Sequence, residues 1–204
     1  MVLKRCGKYL RSVDTFKMSF YTPDFPDRIP LFNYCTNIES LSVHVNEESQ
    51  IDTIIENCKN LKQLTLGCPD DDLTENQNNK ISKLLSKIEN LKYLKLDGTG
   101  FSGRCLSGLP IDTLDTFIIT DCGCDSDIFG IDLQKFLIKN KTITTLKLIA
   151  FSVPHLNGII KALSLSNNKL LNLRLECCDD NYAILDDEKE LGNLFARCKD
   201  LINL

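Results

Sequence analysis

Apolar residues in this chain come in short bursts of period two, each a six-residue pattern with apolar side chains at its first, fourth and sixth positions. The bursts read "IESLSV" from Ile38, "LKQLTL" from Leu61, "LKYLKL" from Leu91, "LDTFII" from Leu114, "ITTLKL" from Ile143 and "LLNLRL" from Leu170. Two weaker copies flank them. "LRSVDT" from Leu10 keeps two of the three apolar positions, and "LINL" from Leu201 holds the first two. The eight starts are separated by 28, 23, 30, 23, 29, 27 and 31 residues. Alternation of this length predicts a strand, and recurrence at a steady interval predicts that each strand belongs to a repeated unit.

Between the bursts the apolar spacing changes to that of a helix. "SQIDTIIENC" places Ile51, Ile54, Ile55 and Cys58 on one helical face, and "NKISKLLSKI" does the same with Ile81, Leu84, Leu85 and Ile88. "LNGIIKALSL" and "EKELGNLFARC" follow the same rule. Ser49 is expected to open the first of these helices, Thr74 with Glu75 the second, and the "LDDE" loop precedes the last. Two intervals are weak. Prolines 23, 26 and 30 interrupt "MSFYTPDFPDRIP", and "SGRCLSGLP" has room for only about one helical turn. Each unit is therefore one strand and one helix, and the fold class expected is α/β with a parallel sheet.

Cysteines fall at fixed places in this pattern. One stands three positions before the hexamer in "CTNIESL", "CKNLKQL" and "CKDLINL". A small polar or thiol residue stands three after its last apolar position at Asn46, Thr99, Cys122 and Cys178, while Pro69 and Phe151 depart from that rule. On these residues the chain resembles leucine-rich-repeat proteins of the cysteine-containing type, whose period is ~20–29 residues and which are best known from F-box proteins. The resemblance spans nearly all of residues 1–204. It implies a single solenoid, or horseshoe, of about seven units, with the parallel sheet on the concave side and helices on the convex side. It implies protein recognition rather than catalysis. The repeats would select substrates for a cullin-type ubiquitin ligase whose adaptor is docked by an F-box, a helical segment that nothing in this chain resembles. The same repeats also suit a scaffold or regulator of the GTPase-regulating or innate-sensing kind with no ubiquitin role.

Composition narrows the alternatives. With 43% hydrophobic and 25% charged residues the chain can bury a core. A net charge of −4 offers no global basic field, so neither nucleic acid nor an anionic membrane is an expected partner. "MVLKRCGKYLRSVD" lacks a secretory h-region, and no run of about 18 apolar residues occurs, so the expected location is cytoplasmic or nuclear. The ten cysteines are expected as buried thiols, because zinc asks for four ligands in paired short spacings. This chain offers only His44 and His155, far apart, and the pairs at 122 and 124 and at 177 and 178. "GTGFSG" from Gly98 fits G-x-G-x-x-G, but Gly108, Pro110 and the hexamer at Leu114 leave no space for the helix that would hold a pyrophosphate. "PDDDLTEN" lacks the glycine and spacing of a calcium loop, and "NKT" from Asn140 is a glycosylation sequon without a secretory context. No cofactor is expected.

The hexamer positions between the apolar ones face outward and form three rows. From Tyr93 onward these rows collect aromatic, cationic and apolar groups, and the candidate partner-binding residues are Tyr93, Lys95, Ile118, Lys147, Ile149 and Arg174. Lys95, Lys147 and Arg174 share the middle row, so the expected ligand is a protein segment with acidic or phosphorylated side chains beside an apolar anchor for Ile118 and Ile149. The termini show no capping unit with a polar outer face, which leads to the expectation of a piece of a longer protein carrying further repeats.

Overall fold

A computed structural model describes residues 7–15, 29–45, 48–68, 73–98, 100–120, 127–151, 153–166, 169–177 and 188–202. The turn positions Asn46, Pro69, Thr99, Cys122 and Cys178, prolines 23 and 26, and the first half of "PDDDLTEN" lie outside them.

The first seven apolar bursts are strands. The strands β1 (Ser12–Asp14), β2 (Ser40–His44), β3 (Gln63–Gly67), β4 (Tyr93–Asp97), β5 (Thr116–Thr120), β6 (Thr145–Phe151) and β7 (Asn172–Cys177) form one all-parallel sheet in chain order. Register follows the hexamers: Leu41, Leu64, Leu94, Phe117, Leu146 and Leu173 lie side by side, as do Val43, Leu66, Leu96, Ile119, Leu148 and Leu175. The weak copy at Leu10 belongs to the series, with Val13 against Leu41.

One hydrogen-bond device recurs at every step. The carbonyl of the residue before each strand accepts two N–H groups from the next unit. Arg11 O takes Glu39 N (2.7 Å) and Ser40 N (3.0 Å), Glu39 O takes Lys62 N (2.8 Å) and Gln63 N (3.0 Å), and Lys62 O takes Lys92 N (2.8 Å) and Tyr93 N (3.0 Å). Lys92, Asp115 and Thr144 repeat it, and Ile202 N donates to Leu171 O at 2.8 Å, so the copy at Leu201 joins the same ladder. The second hexamer residue is therefore the same structural position eight times. The ladder itself needs only backbone, and the side chains at this position also pair from unit to unit: Glu39 with Arg11 (3.2 Å) and Lys62 (2.7 Å), and Lys92 with Asp115 (3.7 Å).

The helices α1 (Ile29–Tyr34), α2 (Glu48–Asn57), α3 (Glu75–Lys87), α4 (Asp127–Lys139), α5 (Val153–Ser166) and α6 (Glu188–Arg197) cover one face of the sheet, each packed on its chain neighbours. Of the expected apolar faces, Ile51, Ile54 and Cys58, then Ile81, Leu84, Leu85 and Ile88, are buried in one core with the inward strand residues, and Ile55 is partly buried against it. Leu133, Phe136 and Leu137 of α4, a helix for which the sequence raised no expectation, are buried in the same core. Thr74 caps α3 as expected, and Gln77 completes a capping box: Thr74 Oγ1 accepts from Gln77 N at 3.2 Å while Gln77 Oε1 accepts from Thr74 N at 2.8 Å. Ser49 lies inside α2, which starts one residue earlier at Glu48.

The weak interval "SGRCLSGLP" forms a six-residue 3-10 helix, Gly103–Gly108, about two 3-10 turns in place of an α-helix. Just before it, Gly98 adopts φ 123° where a Cβ would collide with the Cys68 carbonyl oxygen, which is the local need for the first glycine of "GTGFSG". The departure at Phe151 coincides with a bulge: Ala150 takes φ 62°, the register slips between Ile149 and Phe151, and Phe151 pairs Cys177. Among the described residues no helix is long and apolar enough to cross a membrane.

Candidate binding surface

The sheet face away from the helices carries the three outward rows. Along β2 to β7 the first row is Ser40, Gln63, Tyr93, Thr116, Thr145 and Asn172; the second is Ser42, Thr65, Lys95, Ile118, Lys147 and Arg174; the third is His44, Gly67, Asp97, Thr120, Ile149 and Glu176. β1 adds Ser12 and Asp14 to the first two rows. The structure brings all six candidate residues to this face within four adjacent strands. Ile118 stands between Lys95 and Lys147, and Ile149 between Thr120 and Glu176. Tyr93, Ile118 and Ile149 are half-buried rather than fully exposed, since flanking side chains about 4.8 Å away on the next strands cover part of each.

Ion pairing divides the cationic row. Lys95 Nζ lies 2.7 Å from Asp97 Oδ2, and Thr120 Oγ1 also donates to Asp97 through a short hydrogen bond. Partial burial pushes the Asp97 carboxyl up, but the hydrogen bonds from Lys95 and Thr120, with the nearby Lys95 and His44 charges, outweigh it and hold the group below its ordinary value. Arg174 is held in the same way by Glu176, through Nε at 2.5 Å and through Nη2. Both pairs are i,i+2 on one strand, the spacing that puts two side chains on one face. Lys147, between them, makes no hydrogen bond or ion pair to any described residue. Among the described residues the face thus offers one uncompensated cation beside two isoleucines and a tyrosine. A shallow depression of about 720 Å³ lies over β6 and β7, lined by Thr145, Lys147, Asn172, Arg174 and Glu176 among others.

The carboxylates Asp97 and Glu176, which pair two of the three candidate cations, were not among the candidate residues. Their signal was present in "KLD" and "RLE", where opposite charges stand two apart on a strand.

Five cysteines among the described residues, Cys35, Cys58, Cys68, Cys105 and Cys198, are buried and unbridged. Burial pushes the thiols of Cys58 and Cys105 up to about 12 and those of Cys35 and Cys198 upward, which disfavours the thiolate that nucleophilic attack requires. Among the described residues no cluster of three His, Cys, Asp or Glu side chains is arranged to hold a metal ion. Asn140 of the sequon is buried, with its amide donating to Phe136 O (2.9 Å) and accepting from Asp112 N (3.0 Å). No protein-family model matches the chain, and no curated protein sequence matches it.

Proposed function

We propose that this chain is a leucine-rich-repeat solenoid whose open sheet face is concave and recognises another protein. The observation that carries this reading is the juxtaposition on three successive strands of Tyr93, Ile118 and Ile149 with Lys147, which is uncompensated among the described residues. Aromatic and apolar groups supply area at an interface, and a single cation among them orients a partner carboxylate or phosphate. With Lys95 and Arg174 already neutralised on their own strands, the segment recognised is largely apolar with one anionic group, rather than polyanionic.

Cysteines at the position before the hexamer support membership of the cysteine-containing class, and with it the role of substrate-selecting repeats in an F-box-type ubiquitin ligase. On that reading the chain catalyses nothing itself, and works in the cytoplasm or nucleus with a cullin-ligase adaptor that docks elsewhere. Ile88 and Asn140 at the same position favour the broader alternative, a repeat scaffold or regulator without a ubiquitin role. Affinity capture from cell extract separates these readings. Wild type is expected to retain a defined partner that the Lys147→Glu and Ile118→Asp variants lose at unchanged melting temperature. Cullin-ligase subunits recovered with the full-length gene product would assign the ubiquitin role, whereas partners retained equally by both variants would remove the open face as the binding site.

A further inference from the structure

A second surface stands on the helix side. The interval from Leu91 to Leu114 accommodates only the 3-10 helix Gly103–Gly108, about 12 Å long at ~2.0 Å per residue, whereas the adjacent 13-residue α4 runs about 20 Å at ~1.5 Å per residue. Helix α4 outruns its neighbour, and a cleft of about 350 Å³ opens between them. Its floor is apolar, made by Leu106, Leu109 and Phe136, all nearly inaccessible to solvent. Its rim is cationic. Arg104 pairs with Glu75 and Lys135 with Asp132 (2.9 Å), and Lys139 has no partner among the described residues.

At its mouth the molecule breaks its own pattern. The position three residues before the hexamer is buried in every other described copy, at Gly7, Cys35, Cys58, Ile88, Asn140 and Cys198. In the short unit that position is Ile111, 60% exposed. The turn that holds it outward is fixed from the next unit: Asp112, at φ 58°, donates its N–H to Asn140 Oδ1 (3.0 Å), and its Oδ1 accepts from Lys141 N (2.6 Å). A large apolar side chain on a pinned turn is pre-organised for contact, so little ordering cost remains when it is covered.

We propose that this cleft docks an acidic protein segment, with one apolar side chain on the Leu106–Leu109–Phe136 floor against Ile111 and a flanking carboxylate facing Lys139. Charge complementarity selects the occupant: with Arg104 held by Glu75 and Lys135 by Asp132, Lys139 is the rim's unpaired cation among the described residues, in a chain of net charge −4. The projecting Ile111 and open mouth suit a protein segment better than a small ligand, which a pocket would bury on most of its surface. The surface is separate from the open sheet face and does not depend on what that face binds.

The probe is a short fluorescein-labelled peptide with a leucine and a phenylalanine flanked by glutamates, compared by fluorescence anisotropy with its lysine-flanked counterpart. Wild type is expected to bind the acidic peptide at least about tenfold more tightly, a difference of about 1.4 kcal/mol. Ile111→Ser and Lys139→Glu should each weaken it about tenfold while melting as wild type does, since both side chains are exposed, and Lys147→Glu on the open face should change nothing. Equal binding of the two peptides, or unchanged affinity in both cleft variants, would overturn the proposal. So would decanoate binding as tightly as the peptide, which would assign the cleft to a small amphipathic anion.

Discussion

Phe117→Ala, compared with Ile118→Ala one residue along the same strand, tests the inward and outward alternation on which the whole arrangement rests. Phe117 is fully buried and meets Phe136 of α4 edge-on, with ring centroids 5.3 Å apart and planes at 67°. Truncating a buried phenylalanine costs about 3–5 kcal/mol, of which the edge-to-face contact accounts for about 0.5–1.5 kcal/mol. Ile118 is half-buried on the open face, and its truncation should cost about 1 kcal/mol or less. With a urea m-value of about 2 kcal/mol/M, the first change lowers the unfolding midpoint by about 1.5–2.5 M and the second by about 0.5 M or less. Phe117→Leu, at an intermediate cost of about 1–2 kcal/mol, keeps the test usable where the alanine variant is too unstable to fold. Urea titration followed by circular dichroism gives the midpoints, and a double-mutant cycle with Phe136→Leu gives the ring contact. Equal losses at 117 and 118, or zero coupling between 117 and 136, would refute the alternation and the helix placement together.

Asn140→Ala should cost about 1–2 kcal/mol in the same titration, because it removes the acceptor of the Asp112 N–H and one of the two hydrogen bonds to the Phe136 carbonyl, which keeps the backbone N–H of residue 140 at 3.1 Å. Asn140→Cys, the residue of the equivalent position in three other units, should lose nearly as much; a stability equal to wild type would show that the two hydrogen bonds contribute little. The thiols of Cys58 and Cys105, pushed up to about 12 by burial, should react with iodoacetamide far more slowly in the native protein than in denaturant. Their folded values lie above the unfolded one, so their contribution to stability is complete below about pH 9 and is lost as pH rises from there toward about 12. Alkylation at equal rates in both states, or a stability flat across that range, would contradict their burial.

The strands were legible because a period-two burst recurring at a near-constant interval has few alternative explanations. Even the weak copies at Leu10 and Leu201 fall into register, because the carbonyl ladder uses backbone alone and tolerates any side chain at Arg11 or Ile202. Thr74 was readable as a cap from its own chemistry, whereas Ser49 misled because Glu48 already takes the helical conformation. The ion pairs Lys95–Asp97 and Arg174–Glu176 were open to inference from spacing, but seeing them required weighing the second and third rows together rather than one at a time. The cleft beside Ile111 was not legible. It arises from the difference in length between a 3-10 helix and α4, and sequence spacing showed only that the interval was short.

On the reading proposed above, a partner protein sits on the open face over β4 to β6. Hydroxyl-radical footprinting of the chain, alone and with the partner retained in affinity capture, reads that claim directly at the side chains. Oxidation of Tyr93, Ile118 and Ile149 is expected to fall several-fold on binding, while the exposed Ile131 and Leu165 on the helices stay unchanged. Unchanged oxidation at Tyr93, Ile118 and Ile149 with the partner demonstrably bound would contradict the account.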